Sequence, residues 1–351
     1  MMTPRPPAPR PDPRQGAALV VSLWIILILS MVIAALSYEM HVEAGITSYS
    51  RKRIKAQAAA RGGIEYARFL LAQSFSASDE ALDDESAETR RILQKNLSRG
   101  IGVSSHELEF SDSSTATIQI LPEAGRRNVN TLEDEDWEEI LDQSGVPEEV
   151  WPDLIDCFMD YIDEGDTHRL NGAEKDDPFY ERAGYAPKNA PLDTIDELAL
   201  VKNFTPEIVY GGRPPDASPD TPPYPGIARL LTTWGSGKVN INTASRDVLL
   251  TLTAASGKLI DDWVVDDLLS ARLGEDELPN TEDDGFESVA DAISKAGLDP
   301  SLADKISVSD REYVRVVSVG ESGGVKSGVW AVFQVAPNEI LPIYWREENM
   351  Q

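Results

Sequence analysis

Carboxylates are the residues of this sequence whose density and spacing could do chemistry, and two loops concentrate them. In residues 160–185 the oxygen-bearing side chains are Asp160, Asp163, Asp166, Asn171, Glu174, Asp176 and Asp177. In residues 273–289 they are Glu275, Asp276, Glu277, Asn280, Glu282, Asp283 and Asp284. Calcium takes roughly six to eight oxygen ligands, which a glycine-containing loop can supply. Because neither loop has the EF-hand spacing, each is either a calcium site or a solvated acidic surface.

The overall charge excludes one large class of function. The chain has 351 residues, of which 60 are acidic and 32 are basic, giving a net charge of −28. Proteins that bind nucleic acid generally do so by neutralising phosphates with Lys and Arg. We therefore do not expect a nucleic-acid binder. Strong acidity is compatible with export, with solubility and with divalent cations.

Residues that could carry catalysis are sparse. The single cysteine, Cys157, lies in an apolar run and reads as a small buried core residue. The histidines His41, His106 and His168 are far apart and form no metal-binding or Ser/His/Asp pattern. The sequence contains neither a P-loop nor a GxGxxG motif. We therefore expect a protein that is not an enzyme.

The longest uniform element is an apolar segment near the N-terminus. Residues 17–36 contain no charge, proline or glycine, and a helix of this length reaches about 30 Å, the thickness of a bilayer core. Apolar residues then recur three to four apart up to Phe75, which predicts one continuous helix over 17–75. A plain anchor and a cleaved signal peptide are the alternatives. Basic residues flank the segment on both sides, so charge does not fix its orientation.

The rest of the chain reads as strands separated by a long helical block. Apolar and polar residues alternate over 106–110 and 114–121, and again over 312–320, 326–336 and 339–345. Between them, 126–310 is mostly helical with acidic loops. This order predicts an α+β fold, in which a small antiparallel head (76–125 and 311–351) is interrupted by an all-α insertion. The insertion divides into subdomains at about 126–210 and 227–310, joined by the Pro-rich linker 211–226.

A short motif is repeated inside the insertion. Residues 127–131 read RNVNT and residues 238–243 read KVNINT, each followed by predicted helices. Asn and Thr at these positions can cap helix N-termini. The second copy also resembles the opening of helix-hairpin-helix modules, some of which bind DNA. Acids that follow Gly257, including Asp261 and Asp262, would repel phosphate. A membrane-anchored DNA-binding protein and a calcium-stabilised membrane enzyme are the alternative functions.

The boundary between Gly16 and Ala17 resembles a known processing site. A basic leader, residues 1–16, ends in glycine directly before the apolar helix, as in type IV prepilins and pseudopilins, which a prepilin peptidase cuts after the glycine. Most of these proteins have Glu at the fifth mature position, whereas the fifth residue from Ala17 is Val21. Within this superfamily, lack of that Glu is typical of the type II secretion K subunit.

Residues 160–203 are similar to the signature of the same subunit, general secretion pathway protein K. The matching residues are Gly172-Ala173-Glu174, Phe179-Tyr180, Tyr185, Lys188-Asn189, Pro191, Glu197-Leu198 and Lys202-Asn203, with VNINTAS following at 239–245. The sequence departs from the family at Tyr161, where Trp is usual, and it lacks the Asp-x-Asp pair of the loop. The resemblance therefore spans most of the chain.

The resemblance implies a fold, a site and a function. The fold is pilin-like, with a long N-terminal helix and a large insertion in the head. The calcium ligands implied are Asp160, Asp163, Asp166 and Glu174, with Asp176 and Asp177 as further candidates. A weaker second site, suggested by composition alone, would use Asp276, Asn280, Asp283 and Asp284.

The function implied is that of a minor pseudopilin of the type II secretion system. Such a subunit caps the tip of the periplasmic pseudopilus with the I and J subunits, and it promotes assembly for export of folded proteins. The resemblance also implies processing by prepilin peptidase, methylation and contact with other inner-membrane secretion components. We expect a single-pass protein of the bacterial inner membrane, with its C-terminal domain in the periplasm.

Overall fold

A computed structural model describes residues 13–74, 85–110, 113–215, 217–218, 220–279, 281–336 and 339–348, with side chains described in these ranges except at 13–17, 85–90 and 104. The α-helices are α1 Pro13–Gln73, α2 Glu85–Ser98, α3 Asp134–Gln143, α4 Trp151–Ile162, α5 Pro178–Ala183, α6 Pro206–Tyr210, α7 Arg246–Leu249, α8 Asp262–Ala271 and α9 Val289–Ala296. The strands are β1 Val103–Glu109, β2 Thr115–Pro122, β3 Arg127–Asn128, β4 Leu231–Thr232, β5 Val239–Asn240, β6 Ile306–Ser307, β7 Tyr313–Ser322, β8 Val325–Ala336 and β9 Glu339–Glu348. Short 3-10 helices span Glu123–Gly125, Val129–Thr131, Glu148–Val150, Ile195–Leu200, Ile227–Arg229 and Pro300–Asp304.

Helix α1 is one uninterrupted helix of 61 residues, as the sequence predicts. Residues 18–55 are exposed, and burial begins at Ala56. The buried side chains recur three to four residues apart, so they lie on one face: Ala56, Ala59, Ala60, Ile64, Ala67, Leu70 and Leu71. This face packs on the sheet of the head and supplies part of its core. The C-terminal part of the helix thus belongs to the head, and the longer N-terminal part extends away from it.

The head contains a five-stranded antiparallel sheet in the order β1-β2-β7-β8-β9. Strand β2, which precedes the insertion, pairs along its whole length with β7, which follows it, from Thr115 opposite Glu321 to Pro122 opposite Val314. The face towards α1 carries alternating apolar residues, among them Ile118, Val316 and Phe333. The α+β fold with a long N-terminal helix is therefore confirmed, and the sheet is complete only when both sides of the insertion are present.

The insertion has its own hydrophobic core, which runs from Val129 to Val308. It differs from the all-α prediction in two places, because β3 pairs with β4 and β5 pairs with β6 as short parallel ladders. Several helices of the block predicted to be mostly helical are also short or tight. Residues 195–200 and 300–304 form 3-10 helices, and α7 is limited to residues 246–249.

The repeated motif is a duplicated structure held by asparagines. In the first copy the Asn128 carboxamide accepts from the N–H of Asn130 and donates to the Gly235 carbonyl. In the second copy Asn240 accepts from the N–H of Asn242 and donates to the Asp310 carbonyl. The motif therefore forms a short strand followed by a tight turn. Its asparagine side chains cap this turn and not the N-terminus of a long helix.

The second asparagine of each copy holds a distant segment in the same way. Asn130 bonds both backbone groups of Leu192 (2.8 and 3.0 Å) and the Thr233 carbonyl. Asn242 bonds both backbone groups of Phe286 (2.8 and 3.1 Å) and the Val308 carbonyl. The two halves are thus equivalent at the level of individual hydrogen bonds.

This pairing corrects the predicted boundary between the subdomains. Residues 231–235 lie after the Pro-rich linker, yet they pair with Arg127 and Asn128 of the first half. The linker 211–226 is therefore a loop within the first half, and the boundary falls between Gly235 and Val239. The sequence did not indicate this, because the parallel pairing joins residues more than a hundred positions apart.

Replacing Asn242 with alanine is expected to destabilise the insertion strongly. The change leaves the N–H and carbonyl of Phe286 and the carbonyl of Val308 without their partner, and each buried unpaired group costs about 1–3 kcal/mol. We expect a lower midpoint of thermal unfolding, with a similar effect for Asn130→Ala. Gln119→Ala, at an exposed position of β2, is the control and should leave the midpoint unchanged. If the Asn242→Ala midpoint equals that of the control, these bonds do not hold the insertion together.

Candidate functional site

The apolar half of α1 lies free of the head. Within the described residues, Ala18–Gln73 is the stretch long and apolar enough to span a membrane. Its large side chains from Leu19 to Ile46 are exposed. Gly16 and Ala17 lie in the first turns of the helix, and their side chains are outside the described set. Val21 is exposed on the helix surface. A helix of this kind is consistent with a single-pass membrane anchor.

The first acidic loop runs from the end of α4 to the start of α5. Asp160 lies in the last turn of α4 and is fully buried, with both oxygens accepting from the Arg169 N–H at 3.2 Å. Burial, the largest cause, and the nearby charge of Asp163 raise the pKa of Asp160. Gly172 packs against this carboxylate so closely that a Cβ there would lie 1.9 Å from its Oδ2. A glycine is therefore required where the loop closes over Asp160.

Glu174 is the most unusual residue of the loop. Its side chain is 1% exposed, and neither carboxylate oxygen has a hydrogen-bond partner. Burial raises the pKa of Glu174, and the charges of Asp160, Asp163 and Asp166 raise it further. An ionised carboxylate that is buried without a partner costs several kcal/mol. The loop thus holds an uncompensated negative charge in a position where a cation would be stabilised.

The other predicted ligands of this loop have protein partners. Asp163 Oδ1 accepts from the Gly165 N–H at 2.7 Å, and Asp166 pairs with Lys175 at 2.5 Å. Asp176 pairs with His168 at 2.7 Å and raises the pKa of that imidazole.

Asp177 serves a structural purpose. Its carboxylate caps α5 by accepting from the Phe179 N–H at 2.7 Å, and it pairs with Lys202 at 2.8 Å. Although burial opposes it, these bonds hold the pKa of Asp177 below its usual value. The sequence Asp177-Pro178 was a signal for this short helix, which the prediction of a loop over 160–185 missed.

Sequence reasoning also missed Asp156, which anchors the loop from α4. Asp156 Oδ2 accepts from the backbone N–H and the amide of Asn171, each at 3.0 Å. Arg169 reaches from the loop to Asp156 and to Asp134 at the start of α3. Asp156 precedes Asp160 by four residues, so the two face the same side of α4. The spacing of four residues between Asp156 and Asp160 was the signal in the sequence from which the role of Asp156 could have been predicted.

The second acidic loop satisfies its carboxylates with its own backbone. Asp276 accepts from the Leu278 N–H at 2.8 Å and Asp283 from the Glu275 N–H at 2.7 Å. These backbone bonds lower the pKa of Asp283. Asp284 is buried and accepts from the Thr281 N–H at 3.2 Å. Asn280 lies outside the described residues.

The second loop also packs against the head. The Asn96 amide of α2 donates to the Thr281 carbonyl at 2.9 Å, and Glu282 pairs with Arg91 and Lys95 of the same helix. Over the described part of the chain, no three acidic, histidine or cysteine side chains form a ready-made metal cluster. The two loops therefore differ, because the first holds an unpartnered buried carboxylate and the second is largely self-satisfied.

A long helix that continues from an apolar segment into the core of an antiparallel sheet defines a pilin-like protein. One chain in the crystal structure of the GspK-GspI-GspJ complex from the enterotoxigenic Escherichia coli Type 2 Secretion System has the same fold, with a TM-score of 0.54 and 14% sequence identity. The similarity covers 85% of this chain and 100% of that one.

The sequence of the insertion matches one family of this class. Residues 118–214 match the family described as type II secretion system (T2SS), protein K. This range begins in β2 and includes the whole first acidic loop. The match confirms the resemblance to protein K of the type II secretion system that the residues indicate. A search of curated proteins finds no match.

Proposed function

We propose that the chain is a minor pseudopilin of the type II secretion system that caps the tip of the periplasmic pseudopilus. The observation that carries this proposal is the division of α1 into an exposed apolar half and a half that forms the core of the head. Such a helix can pack beside the helices of other subunits while it carries a folded head outside the membrane. The match of residues 118–214 to protein K supports the same role.

Val21 is the residue that favours the tip position. In the pseudopilins that carry a Glu at this position, we infer that its carboxylate meets the N-terminus of the subunit above. A subunit at the tip has no such neighbour, and an unpaired Glu in hydrocarbon costs several kcal/mol. Val21 avoids this cost. The insertion would also obstruct the addition of further subunits above the head.

The partners and the location follow from the same role. Minor pseudopilins of the I and J types would join this chain at the tip, because the similar structure is a complex of GspK with GspI and GspJ. The helix would anchor the chain once in the bacterial inner membrane, in contact with other secretion components and with the C-terminal domain in the periplasm. The role is structural rather than enzymatic, and no described feature favours DNA binding.

Calcium would complete the first acidic loop. Glu174 offers two buried oxygens without a partner, and Asp160 is buried beside it. Asp163 and Asp166 are near enough to raise the pKa of Glu174, so they are the further ligands we propose. The ion would neutralise these carboxylates and fix the loop between α4 and α5. Asp177 is less favoured, because its carboxylate caps α5 and pairs with Lys202. Asp176 pairs with His168 as Asp166 pairs with Lys175, and of the two we favour Asp166 because its charge raises the pKa of Glu174. The second loop lacks a comparable unpartnered oxygen among its described residues.

Co-purification tests the proposed function. The full chain, extracted from membranes in mild detergent after co-expression with I- and J-type minor pseudopilins, should purify with both. A pseudopilin of the major type, expressed in the same way, provides the comparison. Retention of the I and J types no greater than that of unrelated membrane proteins would contradict the proposal.

Processing by a prepilin peptidase should create a new N-terminus at Ala17, followed by methylation. Intact mass measured after co-expression with the peptidase should correspond to loss of residues 1–16. A chain carrying Gly16→Val should keep its full mass, since the small residue before the cut is removed. Loss of the whole apolar helix in the native chain would instead indicate an ordinary signal peptide.

A further inference from the structure

Three arginines surround a cavity at the junction of the head and the two halves of the insertion. The cavity is about 130 Å³ and lies where β2 ends. Arg315 reaches it from β7, Arg126 and Arg229 from the first half of the insertion, and Thr243 and Ser245 from the second half. The cavity therefore touches the head and both halves of the insertion.

Arg126 has no partner in this cavity. Among the described residues its guanidinium forms no hydrogen bond and no ion pair, although the side chain is partly buried. Burial is the main reason that its pKa falls to about 10, and the positive charge of Arg315 lowers it further, against the opposing effect of Glu123. A cation in such a position is unfavourable unless an anion accompanies it.

The neighbouring arginines leave further donors unused. Arg229 pairs with Asp247 through one terminal nitrogen, but its Nε is buried without a hydrogen-bond partner. Arg315 is neutralised by the buried Glu123, which accepts two of its N–H groups. Three arginines and two carboxylates leave one net positive charge at the cavity. This local excess of positive charge contrasts with the net charge of the whole chain, which is −28.

We propose that the cavity binds a small tetrahedral oxyanion, phosphate or sulfate, between Arg126 and Arg229. The anion would accept hydrogen bonds from the Arg126 guanidinium, and the charges of Arg229 and Arg315, which also line the cavity, would stabilise it further. The hydroxyl of Ser245, which also lines the cavity and whose oxygen accepts from the Val248 N–H at 3.3 Å, keeps its own proton to donate. A tetrahedral anion carries oxygens in several directions, so donors from separate segments can bind it at the same time.

Such an anion would link the head to both halves of the insertion. Arg126 directly follows the 3-10 turn in which the chain leaves the head, and Gly125 of that turn packs against Thr243 of the second half. Neutralising Arg126 would remove its repulsion with Arg315 and stabilise this junction. This inference rests on the cavity alone and is independent of the proposed function.

Titration calorimetry of the full chain in detergent tests the inference. With inorganic phosphate or sulfate at low millimolar concentration and constant ionic strength in chloride, we expect one anion to bind per chain. Arg126→Gln should weaken binding roughly ten- to a hundredfold, because charge-assisted hydrogen bonds are lost. Arg68→Gln, at an exposed position of α1, is the matched control and should bind like the native chain. Low concentrations avoid the general stabilisation that these salts give to most proteins.

A measurement of folding separates loss of the site from loss of the structure. Because Arg126 has no bond to lose among the described residues, Arg126→Gln should unfold without phosphate at the same temperature as the native chain or higher. Absence of binding to the native chain, or equal binding to Arg126→Gln, overturns the inference. Acetate that binds as tightly as phosphate overturns the preference for a tetrahedral anion.

Discussion

Replacing Glu174 with glutamine is expected to raise the unfolding temperature of the metal-free protein, measured with a chelator present. Calcium should raise the unfolding temperature of the native chain but not that of the Glu174→Gln variant. The native carboxylate is buried without a hydrogen-bond partner and lies near other acids, so it destabilises the metal-free fold when ionised. Glutamine has the same shape without the charge. Its amide, however, offers calcium one neutral oxygen in place of a charged carboxylate that can bind through both oxygens, so calcium should bind too weakly to stabilise the fold. The two effects therefore have opposite signs.

The size of the calcium effect follows from mass action. Calcium at a hundred times its dissociation constant stabilises the native state by about 2.7 kcal/mol, which corresponds to roughly 5–10 °C in a unit of this size. Differential scanning fluorimetry of the full chain in detergent, with calcium or with chelator, measures it. Glu181→Gln, at an exposed position of α5, is the control and should behave as the native chain. A calcium shift that persists in Glu174→Gln would remove the basis of the proposed site.

The Glu174 carboxyl group also determines how the stability of the metal-free chain should depend on pH. The pKa of Glu174 in the folded state is raised above its value in the unfolded state. At a pH between these two pKa values the folded chain therefore binds more protons than the unfolded chain. Without metal, stability should therefore fall as pH rises through this window, and the penalty is complete above the folded pKa. Calcium binds the ionised form, so saturating calcium should weaken or reverse the trend. Unfolding midpoints measured from about pH 4 to 7 with and without calcium check this.

Replacing Gly320 with alanine is expected to separate the head from α1. A Cβ at Gly320 would lie 2.1 Å from the Ala56 carbonyl oxygen and 2.5 Å from the Ala60 nitrogen. These are backbone atoms of the helix, which cannot move aside as a flexible side chain can. We expect a loss of about 3 kcal/mol, the upper end of the usual cost of overpacking. A lower unfolding midpoint and greater proteolysis between α1 and the sheet are the measurements.

Two glycines of α1 provide graded controls. A Cβ at Gly63 would meet the Ser318 hydroxyl and the Ile118 side chain, which can adjust, so Gly63→Ala should cost less than Gly320→Ala. A Cβ at Gly45 meets nothing within 4 Å. Gly45→Ala should therefore be neutral, or stabilise the helix by up to about 1 kcal/mol. Equal effects at Gly320 and Gly45 would show that close packing of α1 on the sheet is not needed.

Much of the fold could be predicted because its signals are local. The apolar run of 17–36 and its continuation to Phe75 specify α1 by composition and period alone. The strands of the head follow from alternation, and the antiparallel pairing of β1 with β2, which begins at Glu109 opposite Thr115, agrees with the antiparallel head predicted from the segments 106–110 and 114–121. The first loop was singled out by its density of carboxylates, and the family resemblance implied Asp160, Asp163 and Asp166 as ligands. These features depend on neighbours within a few residues.

The sequence by itself determined most of the elements of the head and the resemblance to protein K, whereas the tertiary structure decided which side chains are left without partners. Glu174 and Asp166 look alike in the sequence, yet Asp166 meets Lys175 and Glu174 is buried with no hydrogen bond. Arg126 is likewise an ordinary arginine until β7 and the two halves of the insertion close around it. The reason is that desolvation and pairing depend on segments far apart in the chain, which only the folded structure brings together.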